Sequence, residues 1–172
     1  MSESFAISSS MIRAAAPSEA ARLSELALRS KGHWDYDAEF LSACRAALTL
    51  TREYVASHPV YVLEEDNRVE GFYSLRENAD GSVALEHLFV EPSAIGRGFG
   101  RRLWEHAVET ARGLGFQILT IDSDPYAEDF YLRMGAVRVG EAASEVLPGR
   151  MLPLLHFDLK AFRKEINRDK DK

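Results

Sequence analysis

The 172-residue sequence holds a single cysteine, Cys44, so no disulfide can form within the chain. A reducing compartment is the natural setting, and Cys44, inside a run of helical character, is expected to pack as a small hydrophobe rather than to act as a nucleophile. No apolar run approaches the ~20 residues needed to cross a bilayer. Residues 1–10 have neither a basic start nor a sustained apolar block, so no secretory leader is read there and a cytoplasmic protein is expected. Positive charge is in deficit: 21 Lys and Arg face 27 Asp and Glu, a net charge of −6. That balance argues against a general nucleic-acid or membrane surface. Repeats and composition breaks are also lacking. One domain over 11–158 is expected, with a charged, solubilising tail over 159–172.

What the chain does have is ordinary core material, 46% hydrophobic residues against 28% charged. A first strand is read at 11–15, and Pro17 opens a helix that Gly32 ends, with Leu23, Leu26 and Ala27 at helical spacing. A second helix is read over 37–47, with Phe40, Leu41, Cys44 and Leu48 on one side, and a short third one after Thr51, stopped by Pro59. Strands at 60–63, 69–75 and 83–90, separated by polar turns, make an antiparallel meander. A helix over 98–114 buries Leu103, Ala107, Val108, Ala111 and Leu114. A strand at 117–121, a short helix at 127–134, and strands at 137–140 and 151–158 complete the chain. Strand, helix and strand across 83–121 imply one parallel crossover within an otherwise antiparallel sheet.

The sharpest signal is Gly96-Arg97-Gly98-Phe99-Gly100-Arg101-Arg102-Leu103, which follows a strand and opens a helix. Alternate glycines let the backbone turn tightly and bring N–H groups close to a ligand. A helix start adds unpaired donors and a positive dipole end, so the pair makes an anion site suited to diphosphate. Arg97, Arg101 and Arg102 crowd that positive end at a cost of up to ~1 kcal/mol each, a conflict that a bound anion would relieve. A glycine-rich turn with solvated arginines is the plainer alternative. The lysine of a Walker loop is missing, and the glycine spacing does not match a dinucleotide fingerprint, although Asp122 after the next strand keeps that option open.

The order of motifs resembles the GNAT superfamily, the Gcn5-related N-acetyltransferases. Its members carry a strand ending Val-x-Pro before Arg/Gln-x-x-Gly-x-Gly/Ala, and here stand Val90-Glu91-Pro92 and Ile95-Gly96-Arg97-Gly98-Phe99-Gly100. Downstream, Asn-x-x-Ala-x-x-Phe-Tyr-x-x-x-Gly is matched by Asp124, Ala127, Phe130, Tyr131 and Gly135. The resemblance covers about 11–158 and is weakest before Pro59. It implies an α/β (α+β) fold with a mixed, mostly antiparallel twisted sheet, helices on both faces and a splayed central strand pair. It also implies acetyl-CoA as acyl donor, lying in that splay, and no metal. The pantetheine arm would pair with the backbone of Leu88, Phe89 and Val90. The diphosphate would meet amides of Ile95, Gly96, Arg97, Gly98, Phe99 and Gly100, with the Arg97, Arg101 or Arg102 side chains assisting. Asp124, Ala127, Phe130 and Tyr131 would border the coenzyme. Two departures are Ile95 in place of Arg or Gln, and Asp124 in place of Asn, since a carboxylate accepts but does not donate.

Amide formation from a thioester needs a base for an amine of pKa ~10 and stabilisation of a departing thiolate of pKa ~8.5. Glu86, in the strand leading to the loop, is the base candidate, with His87 as rival. Strand alternation puts Glu86, Leu88 and Val90 on one face unless a bulge intervenes. A hydrogen-bonded structural glutamate is the alternative. Tyr131 is the acid candidate on the strength of the resemblance, or otherwise a packed aromatic. Backbone N–H groups near Leu88 or Phe89 would polarise the carbonyl. His33, Trp34 and Tyr36 are read as acceptor-binding, because the resemblance implies an acceptor pocket in this region and aromatic rings with the adjacent Asp35 suit an amine; a loop that anchors itself with Trp34 is the alternative. The segment 147–150 is read as the facing wall. The expected activity is therefore N-acetylation of a primary amine by direct attack in a ternary complex, and the resemblance also allows a homodimer. A non-catalytic coenzyme-A-binding module and a nucleotide-dependent oxidoreductase are the rival readings.

Overall fold

A computed structural model describes residues 9–160, so the tail expected over 159–172 lies, past Lys160, outside the described residues. Strand β1 (Ser10–Ala14) leads through a 3-10 turn at Pro17–Glu19 into helices α1 (Ala20–Lys31), α2 (Ala38–Leu48) and α3 (Arg52–Ser57). Side-chain caps start the latter two. The Asp37 carboxylate accepts from the Phe40 amide at 2.7 Å and the Thr51 hydroxyl from the Tyr54 amide at 3.0 Å. Strands β2 (Val60–Glu65), β3 (Arg68–Glu77) and β4 (Val83–Val90) follow. Then come α4 (Phe99–Gly113), β5 (Ile118–Asp122), α5 (Glu128–Arg133), β6 (Val137–Ala143) and β7 (Met151–Asp158). The β2–β3 reversal is a two-residue turn with Asp66 and Asn67 both at positive φ, the backbone that matches strand twist in a tight hairpin.

Helix α4 stops one residue short of the sequence reading. The Phe116 amide donates to the Ala111 carbonyl at 3.2 Å across Gly115, whose φ is +91°. Leu114 is the C-cap of this arrangement and is 57% exposed, so it does not belong to the buried face assigned to it from periodicity.

The seven strands form one sheet in the order β1-β2-β3-β4-β5-β7-β6. Every pairing is antiparallel except β4 with β5. That parallel pair is joined only at Val83 with Leu119 and Ala84 with Thr120. Beyond Ala84 the two strands part, and the edge of β4 from Leu85 to Val90 faces an opening. The splayed pair expected from the resemblance is thus present.

A bulge in β4 changes which way its side chains point. Leu75 pairs with Leu85 and Ser74 with His87, leaving Glu86 as an extra residue. Before the bulge, Val83 and Leu85 pack into the core under α4; after it, Leu88 and Val90 do. Phe89 packs instead with Leu23, Leu26 and Phe72 in the second core, under α1 and α3. Glu86 therefore does not share a face with Leu88 and Val90. It turns to the α1 side, where it meets Arg76.

Candidate functional site

The glycine loop folds as an open cradle at the start of α4. Gly96 and Gly98 have φ of +88° and +82°, and a Cβ built on either would touch nothing within 4 Å. Side chains are therefore excluded by conformation, and the space beside the backbone is clear for a ligand. The Arg102 amide donates to the Gly98 carbonyl at 3.2 Å. The amides of Gly96, Gly98, Phe99, Gly100 and Arg101 form the open donor set of the helix start, whereas those of Ile95 and Arg97, also read from the sequence as donors, already reach the Pro92 and Ala94 carbonyls at 3.4 Å. A fifteen-residue helix stands behind them, so a bound anion gains up to ~1–2 kcal/mol from the dipole. Phe130 lies over this turn, 3.6 Å from where a Cβ on Gly100 would be. The geometry fits a diphosphate held by main-chain groups.

The arginines are engaged elsewhere. Arg97 donates from Nη2 to Glu65 at 2.6 Å, with its guanidinium 4.6 Å from the Phe99 ring centre. Arg101 pairs with Glu105 at 3.0 Å, and Arg102 with the Ser10 hydroxyl. Acidic partners at Arg97 and Arg101 already relieve the charge conflict that the sequence argument assigned to an anion. Ile95 points outward and is 43% exposed.

Two kinds of side chain flank the opening between β4 and β5, one on each side of the sheet. From the α4 side comes Tyr131, 6% exposed and packed 5.7 Å from the Trp104 ring. Among the described residues its hydroxyl has no hydrogen-bond partner. Burial, with Asp124 adding, holds this phenol above the ordinary tyrosine value, so it stays protonated at working pH. From the α1 side comes Glu86, whose Oε2 accepts from Arg76 Nε at 3.2 Å and Nη2 at 3.1 Å. His87 is buried: Nδ1 lies 2.6 Å from the Ser74 hydroxyl, which is 2.9 Å from the Tyr54 hydroxyl. Burial, reinforced by Arg76, pushes its imidazole down to about 4. A neutral, enclosed histidine of this kind is a structural group, not a base for a bulky acceptor.

Beyond the opening, three loops meet. Trp34 stacks on Tyr126 with ring centres 5.3 Å apart and 2° between planes, and His33 lies edge-on to Trp34 at 5.1 Å. The Tyr36 hydroxyl donates to Asp124 at 2.9 Å and accepts from Arg150 Nη2 at 2.9 Å. Lys31 pairs with the same Asp124 carboxylate, which also takes the Tyr126 amide at 2.9 Å. The predicted acceptor residues His33, Trp34 and Tyr36 are thus brought together with Arg150 of the predicted facing wall. Asp124 serves this assembly rather than presenting free oxygens to a coenzyme. Cys44 is 2% exposed beside Lys31, Arg150 and Asp124, and burial pushes its thiol up, in keeping with a packing role.

Sequence reasoning missed Lys31, Tyr126 and Arg76, and weighed Asp122 only for another kind of loop. Alternation of apolar Leu119 and Ile121 with Thr120 and Asp122 was the available signal for the last. Among the described residues there is no cluster of three or more potential metal ligands, and no helix is long and apolar enough to cross a membrane.

Comparison with known proteins agrees with this geometry. The curated 5-NmdU N-acetyltransferase of Pseudomonas phage PaMx11 is 27% identical over 133 residues, covering 77% of this chain and 90% of the phage protein. A GCN5-related N-acetyltransferase from Rhodopseudomonas palustris superposes with a TM-score of 0.72 at 22% identity, over 86% of this chain and 94% of the other. The PaiA N-acetyltransferase of Thermoplasma acidophilum, solved with coenzyme A, gives 0.71 at 16% identity, over 87% and 99%. A family model described as the acetyltransferase (GNAT) domain matches residues 20–146. With most of its length inside that match, the chain belongs to the GNAT family of N-acetyltransferases and is an acetyl-CoA-dependent acyltransferase.

Proposed function

We propose that the protein transfers an acetyl group from acetyl-CoA to a primary amine by direct attack within a ternary complex. The observation that carries this reading is the parting of β4 and β5 past Ala84, directly upstream of the open cradle at Gly96 and Gly98. The unengaged amides of Gly96, Gly98, Phe99 and Gly100 would hold the diphosphate, and the unpaired edge at Leu88, Phe89 and Val90 would align the pantetheine arm. When bound there, the thioester supplies the activated acyl group.

The chain's own groups then divide the work. Free N–H groups on the β4 edge polarise the carbonyl. Tyr131 donates a hydrogen bond to the departing sulfur from the α4 side. Its phenol lies above the thiol's ~8.5, so full proton transfer from it runs uphill and the hydrogen bond is its contribution. A carboxylate on the α1 side meets the acceptor's ammonium, and Glu86, the base candidate of the sequence reading, lies on that side. Trp34, Tyr36, His33 and Tyr126 form the aromatic wall on which an acceptor would rest, with Tyr126 47% exposed. The phage relative is named for 5-NmdU, and a flat stacked wall suits a planar acceptor, so 5-NmdU is the first acceptor to try.

Calorimetry with acetyl-CoA, followed by thiol release with 5-NmdU and a panel of small amines and peptide N-termini, tests the reading. Saturable binding and amine-dependent release are expected. Absence of binding would overturn the cradle assignment, and binding without transfer to any amine would overturn the transfer.

A further inference from the structure

Asp122 is the last residue of β5, the strand that forms the far wall of the opening. Leu119 and Ile121 pack into the core under α4, so alternation sends Thr120 and Asp122 to the other face, the one toward which Glu86 turns. Among the described residues the Asp122 carboxylate has no hydrogen-bond or ion-pair partner. Glu86, by contrast, is held by two nitrogens of Arg76. One of the two carboxylates beside the opening is thus paired with a cation, and the other is bare.

We propose that Asp122 is the base of the acyl transfer, taking the acceptor's proton at the mouth of the opening, while the Glu86–Arg76 pair positions the acceptor. The proposal rests on the reading that the opening receives the thioester. Arg76 occupies Oε2 of Glu86 with two guanidinium nitrogens, which fixes that carboxylate in place. The charged groups facing Asp122 are Glu86 from β4, Glu145 from the β6–β7 connection and Arg76 from β3. Partial burial comes first in holding its carboxyl above the ordinary aspartate range, both glutamates add to it, and Arg76 opposes. A base whose proton affinity lies nearer the working pH is the more effective one.

Asp122 takes one proton from the acceptor ammonium. The freed lone pair forms the C–N bond as the C–S pair leaves on sulfur, hydrogen-bonded by Tyr131. The nitrogen's second proton, made acidic by the new bond, neutralises the thiolate, and Asp122 returns its own proton to water. Tyr131 and Asp122 act from opposite sides of the sheet, so neither obstructs the other.

With the amine that the acceptor panel identifies, Asp122→Asn is expected to lower kcat by ~10²-fold or more at neutral pH. Part of that loss should return above the amine's own pKa, where no base is needed. Glu86→Gln is expected to raise the acceptor KM severalfold and to keep kcat within about tenfold of wild type. The reverse pattern overturns the assignment. Carboxyl-carbon NMR of the acetyl-CoA-saturated protein gives a readout that needs no acceptor. The Asp122 midpoint should lie above the ordinary aspartate range and fall in Glu86→Gln, and a midpoint within or below that range overturns the assignment. A wild type that binds acetyl-CoA but acetylates nothing tells against the proposed function, and the titration still decides the role of Asp122.

Discussion

Seven residue pairs join β4 to β3, and two join it to β5. The same strand therefore has a sealed edge and an open one. On the sealed side its peptide groups are spent on the sheet, and its polar side chains, His87 with Ser74, are enclosed. On the open side the peptide groups past Ala84 are left for a ligand, and the polar groups nearby, the Asp122 carboxylate and the Tyr131 hydroxyl, lack hydrogen-bond partners among the described residues. The contrast separates groups that hold the fold from groups available for chemistry.

The largest expected effect breaks the open side. Gly98→Glu places a side chain on a φ of +82° and a negative charge where the diphosphate is read to lie. Acetyl-CoA affinity measured by calorimetry should fall about 10³-fold, or about 4 kcal/mol, while the unliganded protein still folds. Next comes the sealed side. His87, at about 4 in the folded state, stands below its unfolded value of ~6.5, so the unfolded chain binds its proton first as pH falls. The stability it contributes is complete above ~6.5 and is lost through the window down to about 4, by about 3 kcal/mol. Denaturant midpoints compared between wild type and His87→Gln at the two ends of that window read it out. If the two proteins share one pH dependence, His87 is not enclosed as described.

A smaller effect returns to the opening. Tyr131→Phe should lower kcat by ~10²-fold with acetyl-CoA affinity nearly unchanged, because the hydroxyl acts only on the departing sulfur. Retention of full turnover would remove it from the mechanism. Smallest of all, Tyr36→Phe removes the hydroxyl shared by Asp124 and Arg150. The acceptor KM should rise about fivefold, or ~1 kcal/mol, with the acetyl-CoA KM untouched. A change in the latter would mean that the three-loop assembly also shapes the coenzyme side.

The cradle was legible in the sequence because it is made of backbone, and glycine is the residue type that reports directly on backbone conformation. The β4–α4–β5 crossover was legible from periodicity, and the strand splay from the resemblance. The Glu86 bulge was not, because no residue type marks it and Leu85, His87 and Phe89 continue an apparently regular alternation. Leu114 was misassigned because helical spacing runs on past the point where Gly115 turns the chain. Pairings such as Arg97 with Glu65, Lys31 with Asp124 and Arg150 with Tyr36 join distant segments. Such pairings exist only once the sheet has assembled, so a local reading leaves those side chains free. Asp124 shows the consequence: it stands at a coenzyme position in the motif, yet its oxygens are taken by residues from before Asp37.

The extra residue in β4 also sets how the enzyme can change over time. A deletion of one residue between Leu85 and His87 would restore strict alternation through the strand. Leu88 and Val90 would keep their places in one core and His87 and Phe89 theirs on the other side, because the bulge already gives every residue but Glu86 the side that strict alternation would give it. Drift at position 86 can thus alter chemistry by substitution or by loss of the residue, while the cores on the two sides of the strand keep the side chains they have.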